Sequence, residues 1–340
     1  MLRAAALTAA VRERALALGF DRVAIGPAAP PEHAAAFERW LAAGYAGTMA
    51  YLARGRDARL DPRVLLPGAR SVVAVALSYQ PAEEAESWTP IARYARGRDY
   101  HDVMRPRLQA IGRALAEMTG GRAECRACVD TSAVLERDLA ARAGLGWIGK
   151  NTNLLDQALG SFFFIGIVLT TAELLPDGPV PDRCGTCTAC LDACPTGAFV
   201  APYVLDARRC LSYLTIEHRG PVDPTLRPAV AEWAFGCDDC QTVCPWNRKS
   251  PPASEPAFRP ARPLEALPAL LALDDEGFRA RFKGSAIRRA KRSGLLRNAA
   301  LVLGNRRERA AVPALRRALR DLDTTVRDAA QWALDRIGAA

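Results

Sequence analysis

Ten cysteines stand in this chain, and eight of them are spaced to hold iron. Cys184, Cys187, Cys190 and Cys194-Pro195 fit C-x2-C-x2-C-x3-C-P, the bacterial ferredoxin run. Three thiolates on so tight a loop cap three corners of one cubane, while the fourth faces away and serves a second cluster. Cys237, Cys240 and Cys244-Pro245 give the last three positions of a second run, and Cys210 is the one free candidate for its missing first position. Two 4Fe–4S clusters need eight thiolates, and these positions supply them. The spacing assigns Cys184, Cys187, Cys190 and Cys244 to one cluster, and Cys194, Cys210, Cys237 and Cys240 to the other. Paired C-x2-C motifs also make zinc ribbons. There, however, neither the third cysteine at x2 nor the Cys-Pro pairs have a role. Cys125 and Cys128 form a separate pair without a partner pair nearby, and read as ordinary thiols.

Other chemical-looking motifs fail on context. Gly144-Leu-Gly146-Trp-Ile-Gly149 satisfies G-x-G-x-x-G, and Gly149-Lys150 ends a P-loop-like spacing. Both signatures need a strand before the glycines and a helix after them. Here a helix over Ser132–Arg142, capped by Thr131 or Ser132, is expected to come first, and Asn151 replaces the P-loop hydroxyl. Asp99-Tyr-His101 begins the D-x-H-x-x-G pattern of proteins that ligate cobalt through histidine, but Met104 stands where its glycine belongs. His33 and His218 have no metal-ligand company.

These sites must be carried by three parts. Residues 1–175 alternate helical with strand-like patterns, the strands expected at Arg22–Gly26, Ser71–Tyr79 and Ser161–Thr171. This suggests an α+β protein whose first domain is α/β-like. Residues 176–250 lose periodicity and gain proline and cysteine, as a ferredoxin-like segment does. Residues 251–340 begin with a proline-rich linker, PPASEPAFRPARP, and end in helices. Leu296-Arg-Asn-Ala-Ala300 is echoed by Val326-Arg-Asp-Ala-Ala330, each block expected to precede an apolar helix ending at Gly304 or Gly338. That fits a short HEAT-like unit or a plain helical hairpin.

The net charge is +9, and from Arg281 to Arg297 there are seven Lys or Arg residues and no acid. Such a run is a solvated face or a site for a polyanion. The first twenty residues read as an amphipathic helix without the apolar core of a signal peptide. The longest apolar run, Phe162 to Leu169, is too short to span a bilayer. The expected setting is the reducing cytoplasm, away from membranes, where clustered cysteines bind metal.

With the ferredoxin run placed, the chain resembles the epoxyqueuosine reductase family over nearly its whole length. The resemblance is carried by RLDPRVLLPGARS (59–71), RDYH (98–101), VDTSAVLERDLAARAGLGWIGKNT (129–152), the first cysteine run and GCDDCQTVCPWN (236–247). It implies a cobalamin-dependent reductase, a monomer, that removes the epoxide oxygen of epoxyqueuosine at the wobble position of tRNA to give queuosine. Cobalamin would sit between the N-terminal domain and the ferredoxin segment without a histidine ligand. By motif, Asp130 matches the proton donor. Arg59, Arg137, Lys150, Asn151, Ser161, Ser212 and Asp238 match positions lining the corrinoid or substrate pocket. The HEAT-like tail also agrees with the family.

The chemistry suits the parts. Deoxygenating an epoxide to an alkene needs electrons and a proton. Reduced cobalt can deliver the electrons, recharged by low-potential clusters and an external electron donor. Asp130 serves as acid only if burial keeps it protonated near neutral pH; its other reading is a turn residue before the next helix. Arg288, Arg289, Lys291, Arg292 and Arg297 are expected to clamp tRNA phosphates. Three rivals share some of these features. A reductive dehalogenase usually carries a twin-arginine signal and no basic tail. An electron-transfer module or an RNA-binding scaffold leaves the N-terminal domain without work.

Anaerobically purified protein should contain about eight iron and eight sulfide per chain, two cubanes' worth. Cys210→Ser should lose one cluster, while Cys125→Ser and Cys128→Ser should lose neither. Zinc in place of iron would defeat the assignment.

Overall fold

The computed structural model describes residues 2–82, 90–260, 264 and 266–339. Four strands, Arg22–Pro27, Ser71–Ser78, Phe163–Thr170 and Cys125–Cys128, lie side by side in that order. Every neighbour is antiparallel. The α/β-like expectation for this domain is therefore corrected: the architecture is α+β. The reason for the difference lies in Ser71–Ser78, which is buried at every position. Val73, Val75 and Leu77 face one core, together with the helices Leu2–Ala17 and Tyr100–Met118. Val72, Ala74 and Ala76 face another, against the helix Glu136–Arg142. A strand covered on both faces loses its polar alternation whether its neighbours run parallel or antiparallel.

The helix expected over Ser132–Arg142 begins only at Glu136. Neither Thr131 nor Ser132 caps it; Leu135 occupies the cap position without a side-chain bond. The residues freed by this late start form a turn, in which Asp130 takes a left-handed backbone (φ 50°). Asp and Asn tolerate that conformation better than most side chains. The glycines after the helix lead into a hairpin, Trp147–Ile148 with Leu154–Leu155, and not into a second helix. At Gly144 (φ 89°) a Cβ would come within 2.3 Å of the Gly178 carbonyl oxygen, so the residue serves chain packing.

The proline-rich linker is fastened to the first domain. Its described part contains one 3-10 turn, Pro256–Phe258. Phe258 is buried against the ring of Phe164, 4.8 Å away. Arg98 donates its backbone N–H to Ala257, and Arg107 pairs with Glu255. Residues 261–263 lie outside the described set.

Packing crosses the boundary expected near residue 250. One core joins Leu211, Leu214, Val230 and Phe235 with Leu295, Ala299, Val326 and Ala330. The echoed blocks lie inside the helices Lys291–Asn305 and Thr324–Ile337, not before them. Gly304 lies within the first of these, where a Cβ would meet Ala333 at 2.8 Å. Gly338 does end its helix, in the left-handed conformation favoured at that position. Among the described residues no helix is long and apolar enough to cross a membrane.

Candidate functional site

The cysteine loops are tied to the first domain by polar side chains on and beside the 147–155 hairpin. Lys150 Nζ donates to the carbonyls of Gly185 (2.7 Å) and Cys187 (2.9 Å). Asn151 Nδ2 donates to the carbonyl of Cys240, 3.3 Å away. Ser161 Oγ bonds Gln241 and receives Asn247 Nδ2, both at 2.9 Å. Asp238 is buried and accepts the backbone N–H of Arg93 at 2.8 Å. All four positions thus brace the two cysteine loops and stand outside the lining of the large cavity.

Electrostatic neighbours among the thiols mostly follow the two expected sets, with Cys240 feeling Cys190 across them as well as Cys210 and Cys194. Cys190 feels Cys244, Cys184 and Cys187. Cys237 feels Cys240 and Cys210, and Cys210 feels Cys194. Burial pushes Cys210, Cys237 and Cys240 up, and the neighbouring thiols push further in the same direction. Among the described residues no three His, Cys, Asp or Glu side chains converge on a site for a single ion. Crowded thiols that resist ionisation fit an iron–sulfide core, whose positive charge stabilises all of them as thiolates.

A cavity of about 2060 Å³ opens beside these loops. Cys210 and Ser212 line one side, Phe163, Phe164 and Ile165 the sheet side, and Asp130 with His101 a third. Arg59 and Arg137 also line it; Arg59 is buried, and Arg137 donates to the carbonyl of Thr152 at 2.5 Å. Arg288, Arg289, Lys291 and Arg292 complete the lining. Of the positions expected in a pocket, Arg59, Asp130, Arg137 and Ser212 are brought together here.

Asp130 does not meet the expectation that burial keeps it protonated. Its side chain is 58% exposed, facing the cavity. Burial of its inner side raises the carboxyl, but His101 close by and the Tyr100 hydroxyl outweigh that and hold it below its ordinary value. The proton resides on its neighbours. Burial, then the charge of Asp130, pushes Glu136 up to about 8. Glu136 Oε1 accepts the Asp130 backbone N–H at 2.5 Å, fixing the turn. Burial alone would lower His101, yet Asp130 and Asp99 carry it to about 9. Sequence reasoning set His101 aside as a failed cobalt ligand and passed over Tyr100 and Glu136. The motifs RDYH and VLERD held the signal, but only folding brings the two segments together.

The basic run divides by environment. Arg297 is 1% exposed and gives its guanidinium to the carbonyls of Leu214, His218 and Gly220 and to the side-chain oxygen of Asn298. It is corrected from a phosphate contact to an internal brace. Arg292 is half-buried and pairs with Asp321. Arg289 is exposed yet bonds Glu217 through two nitrogens, at 2.7 and 2.9 Å. Arg288 and Lys291 are exposed at the cavity rim.

Comparison with known proteins agrees with this geometry. A family model described as "Epoxyqueuosine reductase QueG, DUF1730" matches residues 59–131, and a 4Fe-4S double cluster binding domain matches residues 183–247. An epoxyqueuosine reductase of Pseudomonas aeruginosa is 43% identical over 352 residues, covering 98% of this chain and 95% of its own. That of Escherichia coli K12 is also 43% identical, covering 87% of this chain and 80% of its own. A Bacillus subtilis epoxyqueuosine reductase structure, described with its catalytic aspartate loop swung out of the active site, superposes with a TM-score of 0.88 at 30% identity. Another, solved with an epoxyqueuosine-modified tRNA stem loop, gives 0.86 at 32% identity. Both alignments cover 98% of this chain and 90% of the other.

Urea denaturation should separate the two kinds of arginine. Arg297→Ala leaves several buried carbonyls unsatisfied and should cost more than about 2 kcal/mol. Arg288→Ala should stay within about 0.5 kcal/mol of the parent. Equal midpoints for the two variants would contradict the division.

Proposed function

This chain belongs to the epoxyqueuosine reductase family, an oxidoreductase with a double 4Fe-4S domain, and we propose that its large cavity is where cobalamin, the wobble base of tRNA and Asp130 meet. One observation carries this reading: a single cavity is lined by the cluster segment, by a carboxylate with proton-bearing neighbours, and by exposed basic residues. Its size and mixed aromatic and polar lining fit a corrin and an extruded base together. His101 has a carboxylate on each side, Asp99 at 2.8 Å and Asp130 at 3.4 Å, a setting that favours the imidazolium over a metal ligand.

The reaction consumes two electrons and two protons, converting the epoxide to an alkene and releasing water. When bound, a reduced corrin would supply the electrons, recharged by the clusters one at a time from an external donor. The rest falls to the chain's own groups. Arg59 and Arg137 bring positive charge to the cavity wall, where they offset negative charge that develops on the departing oxygen. Asp130 faces the cavity and gives that oxygen its proton. A ligand filling the cavity strips water from the exposed side of Asp130, which raises its affinity for a proton at the moment it is needed.

The helical tail, on this reading a HEAT-like unit, presents Arg288 and Lys291 to the RNA backbone. Binding phosphates in this way offsets the few kcal/mol of unstacking that extrusion of a base costs. Arg289 and Arg292, each held by an acid, contribute less than the sequence expectation assigned them.

Two measurements test the reading. Asp130→Asn keeps the shape and removes the proton, so corrin absorbance and iron content should persist while turnover falls about 10²–10⁴-fold. Near-normal turnover would remove Asp130 as the obligatory acid. Separately, Arg288→Glu with Lys291→Glu should weaken tRNA binding at every salt concentration tested. The slope of log affinity against log salt should become shallower by about one for each phosphate that is no longer neutralised. An unchanged slope would confine this face to solvation.

A further inference from the structure

The reaction needs two protons, and Asp130, held below its ordinary value, rests with neither. His101 lies where they would have to come from. It is the second residue of the helix Tyr100–Met118, two after Asp99, whose side chain caps that helix. Asp99 Oδ1 lies 2.8 Å from His101 Nδ1. On the other side of the ring, Nε2 is buried without a close hydrogen bond, and the nearest acid oxygen is Asp130 Oδ2 at 3.4 Å. The imidazole stacks on Tyr100 with ring centroids 4.2 Å apart, and Tyr100 stacks in turn on Phe164 at 4.3 Å. Packing and Asp99 therefore fix the ring plane, and Asp130 Oδ2 is the acid oxygen nearest to Nε2.

We propose that His101 is the positioning residue of Asp130, holding its carboxylate in the cavity and passing it the protons that Asp130 delivers in each turnover. This rests on Asp130 being the acid, as proposed above. Asp130 rests as a carboxylate. As the ligand strips its water, the imidazolium transfers its Nε2 proton to Asp130 Oδ2, and Asp130 gives that proton to the epoxide oxygen. A second proton, which His101 takes up from solvent, follows the same path as the oxygen leaves as water. His101 is left neutral with its proton on Nδ1, the tautomer that Asp99 fixes as acceptor. Water entering the emptied cavity restores the pair. No oxidant or reductant takes part in the transfer.

The charges around His101 favour this state. Asp99 stands at its own helix end, Asp130 comes from the turn after the strand Cys125–Cys128, and Glu136 from the following helix. Arg105 acts on Asp99, Arg289 acts on Asp130 from the basic tail, and Arg137 acts on Glu136. Tyr100 stays neutral, because burial pushes its hydroxyl far up, and it donates to Asp130. Below the ordinary histidine value near 6.5, the imidazolium contact is fully present. It fades as pH rises through about 9.

The test uses the full-length enzyme with clusters and corrin. The chain has only His33, His101 and His218, so His101→Gln identifies its imidazole signals by difference in NMR of histidine-labelled protein. His101 should titrate near 9 in the parent and move down by more than about one unit in Asp130→Asn, and likewise in Asp99→Asn. His101→Gln retains a donor but no transferable proton. Its turnover should fall about tenfold or more, and the alkaline limb of its pH profile should vanish. Asp99→Asn should shift that limb toward lower pH, which keeps the idea testable if the glutamine variant misfolds. A parent His101 titrating near 6.5, or unmoved by Asp130→Asn, overturns the proposal while leaving Asp130 as acid intact. An active Asp130→Asn enzyme instead overturns the acid assignment, whatever His101 does.

Discussion

Thiols that are buried beside one another resist ionisation, and Cys210, Cys237 and Cys240 are pushed up for both reasons. Keeping them as thiolates requires the charge of an iron–sulfur core and a frame that holds their loops in place. That frame is the hairpin region of the first domain. Lys150, Asn151 and Ser161 reach across to the loops, and Asp238 reaches back to the backbone of Arg93. These bonds fix the cluster segment against the first domain, beside the cavity. Were the loops to drift, Cys210 and Ser212 would no longer face the wall that carries Asp130.

A second consequence concerns the tail. The helices of the last fifty residues share their core with the segment between the two cysteine runs. Arg297 seals that joint from inside by filling carbonyls at 214, 218 and 220, which a buried guanidinium does with its fixed fork of donors. The Glu217–Arg289 pair bridges the same joint from outside. The strap around Phe258 fastens the connecting chain to the sheet. A polyanion bound to the exposed residues of the tail would therefore be held in fixed relation to the cavity.

The acid centre shows how one turn sets a proton inventory. Asp130 is turned outward by its left-handed backbone, and Glu136 is anchored below it by the bond to the Asp130 N–H. One carboxyl is held down by its donors, and the other is pushed up by burial and by the first one's charge. Environments that drive two carboxyls apart in this way leave one ionised and the other protonated near neutral pH.

The cysteine spacings pointed to a double-cluster segment, which the 4Fe-4S double cluster binding domain matched over residues 183–247 bears out, because three thiolates on one tight loop are written in loop lengths. The strands Arg22–Pro27, Ser71–Ser78 and Phe163–Thr170 were legible within a residue or two for a similar reason: runs of buried apolar side chains mark them wherever they lie. Strand direction was not legible, since Ser71–Ser78 is covered on both faces and shows no alternation to read. Local propensity also placed the start of the helix after Asp130 four residues too early, because the bond from Glu136 to the Asp130 N–H holds that stretch as a turn. Most of all, the fate of each arginine was a tertiary matter. Arg288 and Arg297 sit in one basic run with the same chemistry, yet one faces solvent and the other lies in the core. Burial and the carbonyls that meet a guanidinium come from residues some eighty positions away, which no local pattern encodes. His101 and Asp130 are separated in the same way, and only the packing of the helix Tyr100–Met118 against the sheet sets an imidazole beside the carboxylate.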